Sequence, residues 1–384
     1  MVKGKIAVFT GGGDCPGLNN AIKQVVKSAG DDYAVEGITE GWLGVSEIAL
    51  HPENIATYTQ PLDILAVRRI EREGGTKLMT SRANPFKYTS EDKSVQKQDI
   101  SDLVIKSLND RYYAVVAIGG EDTLGAAGKL AKKGLRVVGI PKTIDKDLCG
   151  TQFTLGFDSA LNVASSELNR IRSSAGSHGM VYFVEIMGRR AGHLTYHSGI
   201  ASNVHFITIP EVETDLDKLF SLIEERKFKE KYPGYHLDGR RYTIVAVAEG
   251  TSIKGVGEII KDKELDSHGN HKLGDVSAFI AEQYVKRTGD PNCRDIAFRY
   301  ILRSGEPSSQ DKIRGKHAGT KALELINKDA FGRLVSLGVD RTSDVPLIDI
   351  VDKIRILDAQ VCFDKDNYVP IITDIYYPER EVNK

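Results

Sequence analysis

The chain has few cysteines, one tryptophan, no surplus of charge of either sign and no long apolar run, and each shortage closes off a class of protein. Its four cysteines, Cys15, Cys149, Cys293 and Cys362, are widely separated and form no C-x-x-C pair. That argues against a zinc site or a disulfide framework and for reduced thiols. No His or Cys cluster has the spacing of a transition-metal centre. Lysines plus arginines (52) nearly balance aspartates plus glutamates (53), so no general attraction to nucleic acid or to an anionic membrane is expected. Any recognition of phosphate must be local. No stretch approaches a membrane span, and the first residues run at once into the strand-like Ile6-Ala7-Val8-Phe9, too short for a signal segment. The expected location is cytoplasmic. Trp42 carries no functional signal, and no fixed-period repeat or low-complexity tract is present.

What is present is a regular alternation of short apolar runs and helix-period segments over 384 residues with 37 glycines. Lys5 to Thr10 reads as a strand, followed by Leu18, Ile22, Val25, Val26 and Ala29 at helical spacing; strands at 114–118 and 137–140 flank a helix at 124–133. The rhythm resumes at 181–186, 206–209 and 242–247. This predicts an α/β protein of two similar doubly wound, Rossmann-like lobes, with the active site in the cleft between them, outside the carboxyl ends of the strands. Residues 227–241 and 254–275 read as surface insertions, 88–99 as an exposed loop, and the tail ending in Pro378-Glu379-Arg380-Glu381 as solvated.

Three loops follow strands directly. Thr10-Gly11-Gly12-Gly13-Asp14-Cys15-Pro16-Gly17 opens a helix, so backbone amides and the helix dipole converge on an anion-sized space, although the lysine of a Walker loop is missing. Gly119-Gly120-Glu121-Asp122-Thr123 has the same context and adds Glu121, a carboxylate suited to magnesium, which favours one or two carboxylates plus substrate phosphates. In Pro141-Lys142-Thr143-Ile144-Asp145-Lys146-Asp147, carboxylates at alternate positions project the same way if the loop is extended. One can take a hydroxyl proton and the other order the metal or the first acid, with Lys142 where charge grows on a transferred phosphoryl group.

Asp122 bears on the donor. If the loop cradles two phosphoryl groups and Asp122 fills the place of a third, a nucleotide meets both a steric block and a like charge. Two unit charges about 4 Å apart at an effective dielectric near 20 repel by roughly 4 kcal/mol, about three orders of magnitude in affinity. Inorganic pyrophosphate escapes that penalty.

These motifs, with TSRANP before Phe86, GFDSAL from Gly156, VEIMGRRAG from Val184, AEG from Ala248 and RYILRSG from Arg299, occur in the order found in the phosphofructokinases. The chain resembles the pyrophosphate-dependent branch of that family. The resemblance implies transfer of a phosphoryl group from pyrophosphate to the C1 hydroxyl of fructose 6-phosphate, reversibly, with Mg2+, in a homodimer or homotetramer. It implies a donor lobe of residues 1–156 plus about 302–354 and a sugar lobe of 157–301 plus about 355–384. Residue by residue, it makes Asp145 the general base, Asp147 its acidic companion, and Thr143, Ile144 and Asp145 acceptor contacts. Gly13, Arg82, Asp122, Thr123 and Lys142 become donor contacts and Glu121 the metal carboxylate. Met187, Gly188 and Arg189 become the sugar loop, Glu249 the acid that holds sugar hydroxyls, and Arg294, Tyr300 and Arg303 the anchors of the 6-phosphate. Asp122 and Lys142 together mark pyrophosphate use.

The chain departs from the pattern at Met180, where an arginine normally reaches the 6-phosphate from a neighbouring subunit, at Lys146, usually asparagine, and at Arg299 and Ser304, usually glycine. Lys146 is expected to depress the basicity of Asp145 or to bind phosphate, and Arg299 or Lys146 to compensate for Met180 or reshape the pocket. The alternatives are an ATP-dependent enzyme, one acting on another sugar phosphate such as a seven-carbon one, and a catalytically silent regulatory paralogue.

Overall fold

The computed structural model describes residues 3–90, 97–229, 242–265, 271–372 and 378–383. The expected alternation holds closely: strands at Gly4–Thr10, Ala114–Gly119, Val137–Thr143, Val181–Ile186, Phe206–Thr208 and Thr243–Ala248. Each is buried along most of its length because parallel strands are covered on both faces. Leu18, Ile22, Val25, Val26 and Ala29 line the buried face of the helix Leu18–Ala29.

Two sheets result. The larger runs Thr342–Pro346, Arg333–Leu337, Val137–Thr143, Ala114–Gly119, Gly4–Thr10, Tyr33–Ile38, Thr59–Pro61, with Leu155–Gly156 paired beside Val137–Thr143. Its central strands are parallel, and its two outermost, Thr59–Pro61 and Thr342–Pro346, antiparallel. The smaller sheet is parallel throughout, in the order Cys293–Phe298, Val181–Ile186, Thr243–Ala248, Phe206–Thr208. In the larger sheet the chain winds outward in opposite directions from Gly4–Thr10 and Ala114–Gly119, so the two glycine loops leave adjacent strands at the switch point.

The helix Ser309–Asn327 lies across Leu18–Ala29 at glycine-close range: a Cβ on Gly315 would stand 2.7 Å from that of Asn20. From it, the fully buried Asp311 accepts the N–H (2.9 Å) and hydroxyl (2.6 Å) of Ser159 on its Oδ2. Burial pushes Asp311 up to about 6.

One expectation needs correction. Residues 254–275, read as a surface insertion, carry short strands at Gly257–Glu258, Ile260–Leu265 and His271–Leu273; residues 230–241 and 266–270 of the insertions, and 91–96 of the polar loop, lie outside the described residues. The tail is not solvated at Glu379. Glu379–Asn383 pairs antiparallel with Lys353–Leu357, and the Glu379 side chain is only 10% exposed because two cations from the body of the protein meet it.

Candidate active site

The three loops converge as their strands are adjacent. Gly11 N–H donates to Ile118 O (2.9 Å), and a Cβ on Gly11 would stand 2.6 Å from Thr123 Oγ1. Gly12, with φ +79, donates to Ser81 O (2.9 Å) while its carbonyl accepts the Thr80 hydroxyl (2.6 Å), which brings Arg82 to the glycine loop. Lys142 Nζ donates to the Gly13 carbonyl from beneath, and a Cβ on Gly12 would lie 3.3 Å from that ammonium. Burial first, then Arg303, hold Lys142 down to about 8. Glu121 and Asp122 occupy the first turn of the helix Glu121–Lys132, where the dipole favours carboxylates. Thr123 is buried beneath them, and its carbonyl accepts Trp42 Nε1 (3.1 Å). Trp42 therefore props the loop, a role invisible in the sequence because a lone tryptophan shows no partner.

On the third loop, Asp145 N–H donates to Thr143 Oγ1 (3.0 Å) and the carboxylate is 6% exposed, with Oδ1 lacking any hydrogen-bond partner among the described residues. Burial, and next the Asp145 carboxylate, push Asp147 up to about 7; Glu121 adds to the push and Arg189 opposes it. Asp147 thus feels the charges of both Glu121 of the first sheet and Arg189 of the second. Ile144 is fully buried in the core, so only its backbone can meet an acceptor.

From the second sheet, Glu249 Oε1 accepts the N–H groups of Gly188 (3.2 Å) and Arg189 (2.7 Å). These donors fold the Gly188–Arg189 loop around the acid and hold Arg189 at φ +48. Burial, then Asp145, push Glu249 up to about 6. A Cβ on Gly250 would come within 1.9 Å of the Arg189 carbonyl, so close approach of backbone requires glycine there. Met187 is partly buried against the core.

Of the expected 6-phosphate anchors, two donate to backbone carbonyls and one is exposed. Arg303 Nη1 donates to Asp14 O (3.1 Å) and stands 2.4 Å from where a Gly13 Cβ would be, against the first glycine loop. Arg294 donates to its own segment, at Cys293 O (2.7 Å) and Pro291 O (3.4 Å), and Tyr300 is 74% exposed. The departures also land elsewhere than expected. Lys146 is fully buried and pairs with Glu379 over the rings of Phe153 (5.7 Å) and Phe157 (5.4 Å). Arg299 pairs with Asp275, and Met180 packs partly buried against the core. Neither cation is committed to replacing a phosphate anchor.

Among the described residues no group of three or more His, Cys, Asp or Glu side chains forms a ready metal cage. That is compatible with magnesium, which takes few protein ligands when phosphates supply the rest: Glu121 offers hard carboxylate oxygens, and Asp145 has one oxygen, Oδ1, without a hydrogen-bond partner among the described residues.

The Phosphofructokinase family matches residues 5–326. A Streptomyces coelicolor protein named pyrophosphate–fructose 6-phosphate 1-phosphotransferase is 36% identical over 357 residues, covering 92% of this chain and 96% of the relative. A Clostridium perfringens protein named ATP-dependent 6-phosphofructokinase 2 is 34% identical over 363 residues, covering 93% and 94%. The crystal structure of a pyrophosphate-dependent phosphofructokinase from Marinobacter aquaeolei shares the fold, with a TM-score of 0.72 at 17% identity over 95% of this chain and 88% of that one. With its glycine loops at the switch point and a match along most of its length, the chain belongs to the phosphofructokinase family.

Proposed function

We propose that the protein moves a phosphoryl group from inorganic pyrophosphate to the C1 hydroxyl of fructose 6-phosphate, reversibly, giving fructose 1,6-bisphosphate and phosphate. The observation that carries this reading is the buried ammonium of Lys142 on the Gly13 carbonyl, with Asp122 in the first helical turn of the neighbouring loop. A cation there meets the charge of a short inorganic donor, and a carboxylate beside it opposes a third phosphate.

Catalysis is then positioning plus electrostatics. Gly13, Thr123 and the backbone of the two glycine loops hold the donor; Lys142, Arg82 and Arg189 neutralise the moving phosphoryl. Magnesium, when bound, would screen the donor oxygens, with Glu121 holding it. Asp145 takes the acceptor's proton, its free Oδ1 available for that bond, and Asp147 orders it. Thr143, the Ile144 backbone, Met187, Gly188 and Glu249 hold the sugar. Arg294, Tyr300 and Arg303 reach the 6-phosphate once Arg294 releases the carbonyls of Cys293 and Pro291 and Arg303 that of Asp14. The lobe boundaries given by the resemblance, a homodimer or homotetramer, and a cytoplasmic location belong to the same reading; among the described residues no helix is long and apolar enough to cross a membrane.

Similarity to an ATP-dependent relative favours a nucleotide donor as the second reading. Pure protein assayed with magnesium, pyrophosphate or ATP, and a panel of sugar phosphates separates them. Ready turnover with ATP and none with pyrophosphate would overturn the first.

A further inference from the structure

The loop that carries Asp145 and Asp147 has no regular secondary structure from Ile144 to Thr154 beyond isolated turns and a bridge. Buried carbonyls on such a loop need partners. Four of them find one in a single residue, Arg355, which is 7% exposed on the strand Lys353–Leu357. Its guanidinium donates to the carbonyls of Lys146 (3.2 Å), Gln152 (3.2 Å) and Thr151, and its backbone N–H to that of Asp147 (2.8 Å). Five donors in a rigid plane allow this; an ammonium offers three on a flexible stem.

Lys146 sits between the two acids with φ +58, a left-handed conformation that persists only where the surroundings over-determine it. Here Glu379 does so, pairing with Lys146 and, at 3.2 Å, with Arg355. The same strand holds the other loop. The Arg355 carbonyl lies 3.3 Å from His193 Nε2, and Leu357 N–H donates to Glu211 Oε1 (3.0 Å), which also accepts Gly192 N–H (2.8 Å) at the end of the sugar loop.

We infer that Arg355 is a positioning residue: with Glu379 and Lys146 it sets the backbone that aims Asp145 and Asp147, and the strand pair Lys353–Leu357 with Glu379–Asn383 registers that loop against the Gly188–Arg189 loop. Asp145 has no hydrogen bond of its own on Oδ1 to fix its direction, so its aim is inherited from the loop. The inference rests on the phosphotransferase reading for its kinetic consequence but not for its structural one. This strand pair lies beyond the residues the family match covers, which end at 326.

The test compares wild type with Arg355→Lys and Glu379→Gln, by hydrogen–deuterium exchange and by steady-state kinetics with pyrophosphate and fructose 6-phosphate. Arg355→Lys is expected to lower kcat about 10- to 100-fold, the cost of misplacing a reacting group by about 1 Å, with KM for pyrophosphate within about threefold. Exchange in a peptide spanning residues 144–154 should rise about tenfold while Ala114–Gly119 and Val181–Ile186 stay protected. Glu379→Gln, which keeps the guanidinium, is expected to give the same pattern at smaller size, and it decides the matter if Arg355→Lys does not fold. Unchanged loop exchange, or a rise spread evenly over both sheets, overturns the inference, as does a loss carried by KM alone. A wild-type protein inactive with these substrates would sink the functional reading and leave the exchange comparison to decide the role of Arg355.

Discussion

Lys142 donates its ammonium proton to the carbonyl of Gly13, so the cation proposed to face the donor is anchored to the glycine loop proposed to cradle it. Because burial holds Lys142 down to about 8, the free enzyme loses this charge on the alkaline side. kcat/KM for pyrophosphate is expected to fall tenfold per pH unit above about 8, since the protonated form is the active one. Lys142→Met should lower kcat about 10²- to 10³-fold and remove that limb. A pH profile unchanged in Lys142→Met would contradict the assignment.

Asp122→Gly is expected to raise use of ATP relative to pyrophosphate, by at most about three orders of magnitude if the full like-charge repulsion is relieved. Asp122→Gly combined with Lys142→Gly should shift the ratio further, because the second change removes the cation suited to the short donor. The check is the ratio of kcat/KM values for the two donors; a ratio that stays fixed in both variants removes the exclusion argument.

Gly250→Ala and Gly120→Ala should separate sharply. At Gly250 the new methyl would meet the Arg189 backbone at 1.9 Å, and backbone cannot step aside; at Gly120 it would meet the Lys142 carbonyl at 3.4 Å, an ordinary contact. Gly250→Ala is expected to cost about 1–3 kcal/mol of stability and to raise KM for the sugar phosphate by displacing the Glu249-bound loop. Gly120→Ala should fold with near-normal stability. Urea unfolding and acceptor titrations read both.

Asp311 gives a pH signature of stability separate from catalysis. Below pH 3.8 its carboxyl is neutral whether folded or not; as pH rises towards 6 the unfolded chain ionises freely and the buried group resists. Stability attached to this group is therefore present at low pH and lost across that window, by about 2–3 kcal/mol. Asp311→Asn, which keeps an acceptor for Ser159, should not show this loss. The difference between wild type and variant, followed by urea unfolding from pH 3.5 to 7, is expected to change by that amount; a constant difference would contradict it.

Strands and glycine loops were legible because their signals are local. Apolar runs of strand length set the larger sheet's centre, and Thr10 to Gly17, Gly119 to Thr123 and Pro141 to Asp147 follow them directly, so parallel adjacency brings the loops together. What escaped reading depends on partners distant in sequence. Lys146, seen beside Asp145, looked like a perturber of the base, whereas it pairs with a carboxylate 233 residues away. Arg355 has no motif around it, and the short charged segment at Glu379 reads as tail until its strand partner is known. Arg303, which the resemblance makes an anchor of the acceptor phosphate, also donates to the carbonyl of Asp14, 289 positions earlier, a contact no local motif shows. Trp42 is the same kind of case.

Cys15 lies inside the first glycine loop, fully buried, with its thiol 3.4 Å from the Leu155 carbonyl and pushed up to about 12 by burial. Its sulfur would meet a Gly156 Cβ at 2.4 Å, so nothing the size of an alkylating reagent can approach while the loop is shut. The sulfur is thus a silent chemical reporter. Iodoacetamide should capture it only in the moments when the phosphate cradle breathes open, and slower capture when pyrophosphate is added would time that breathing without any assay of turnover.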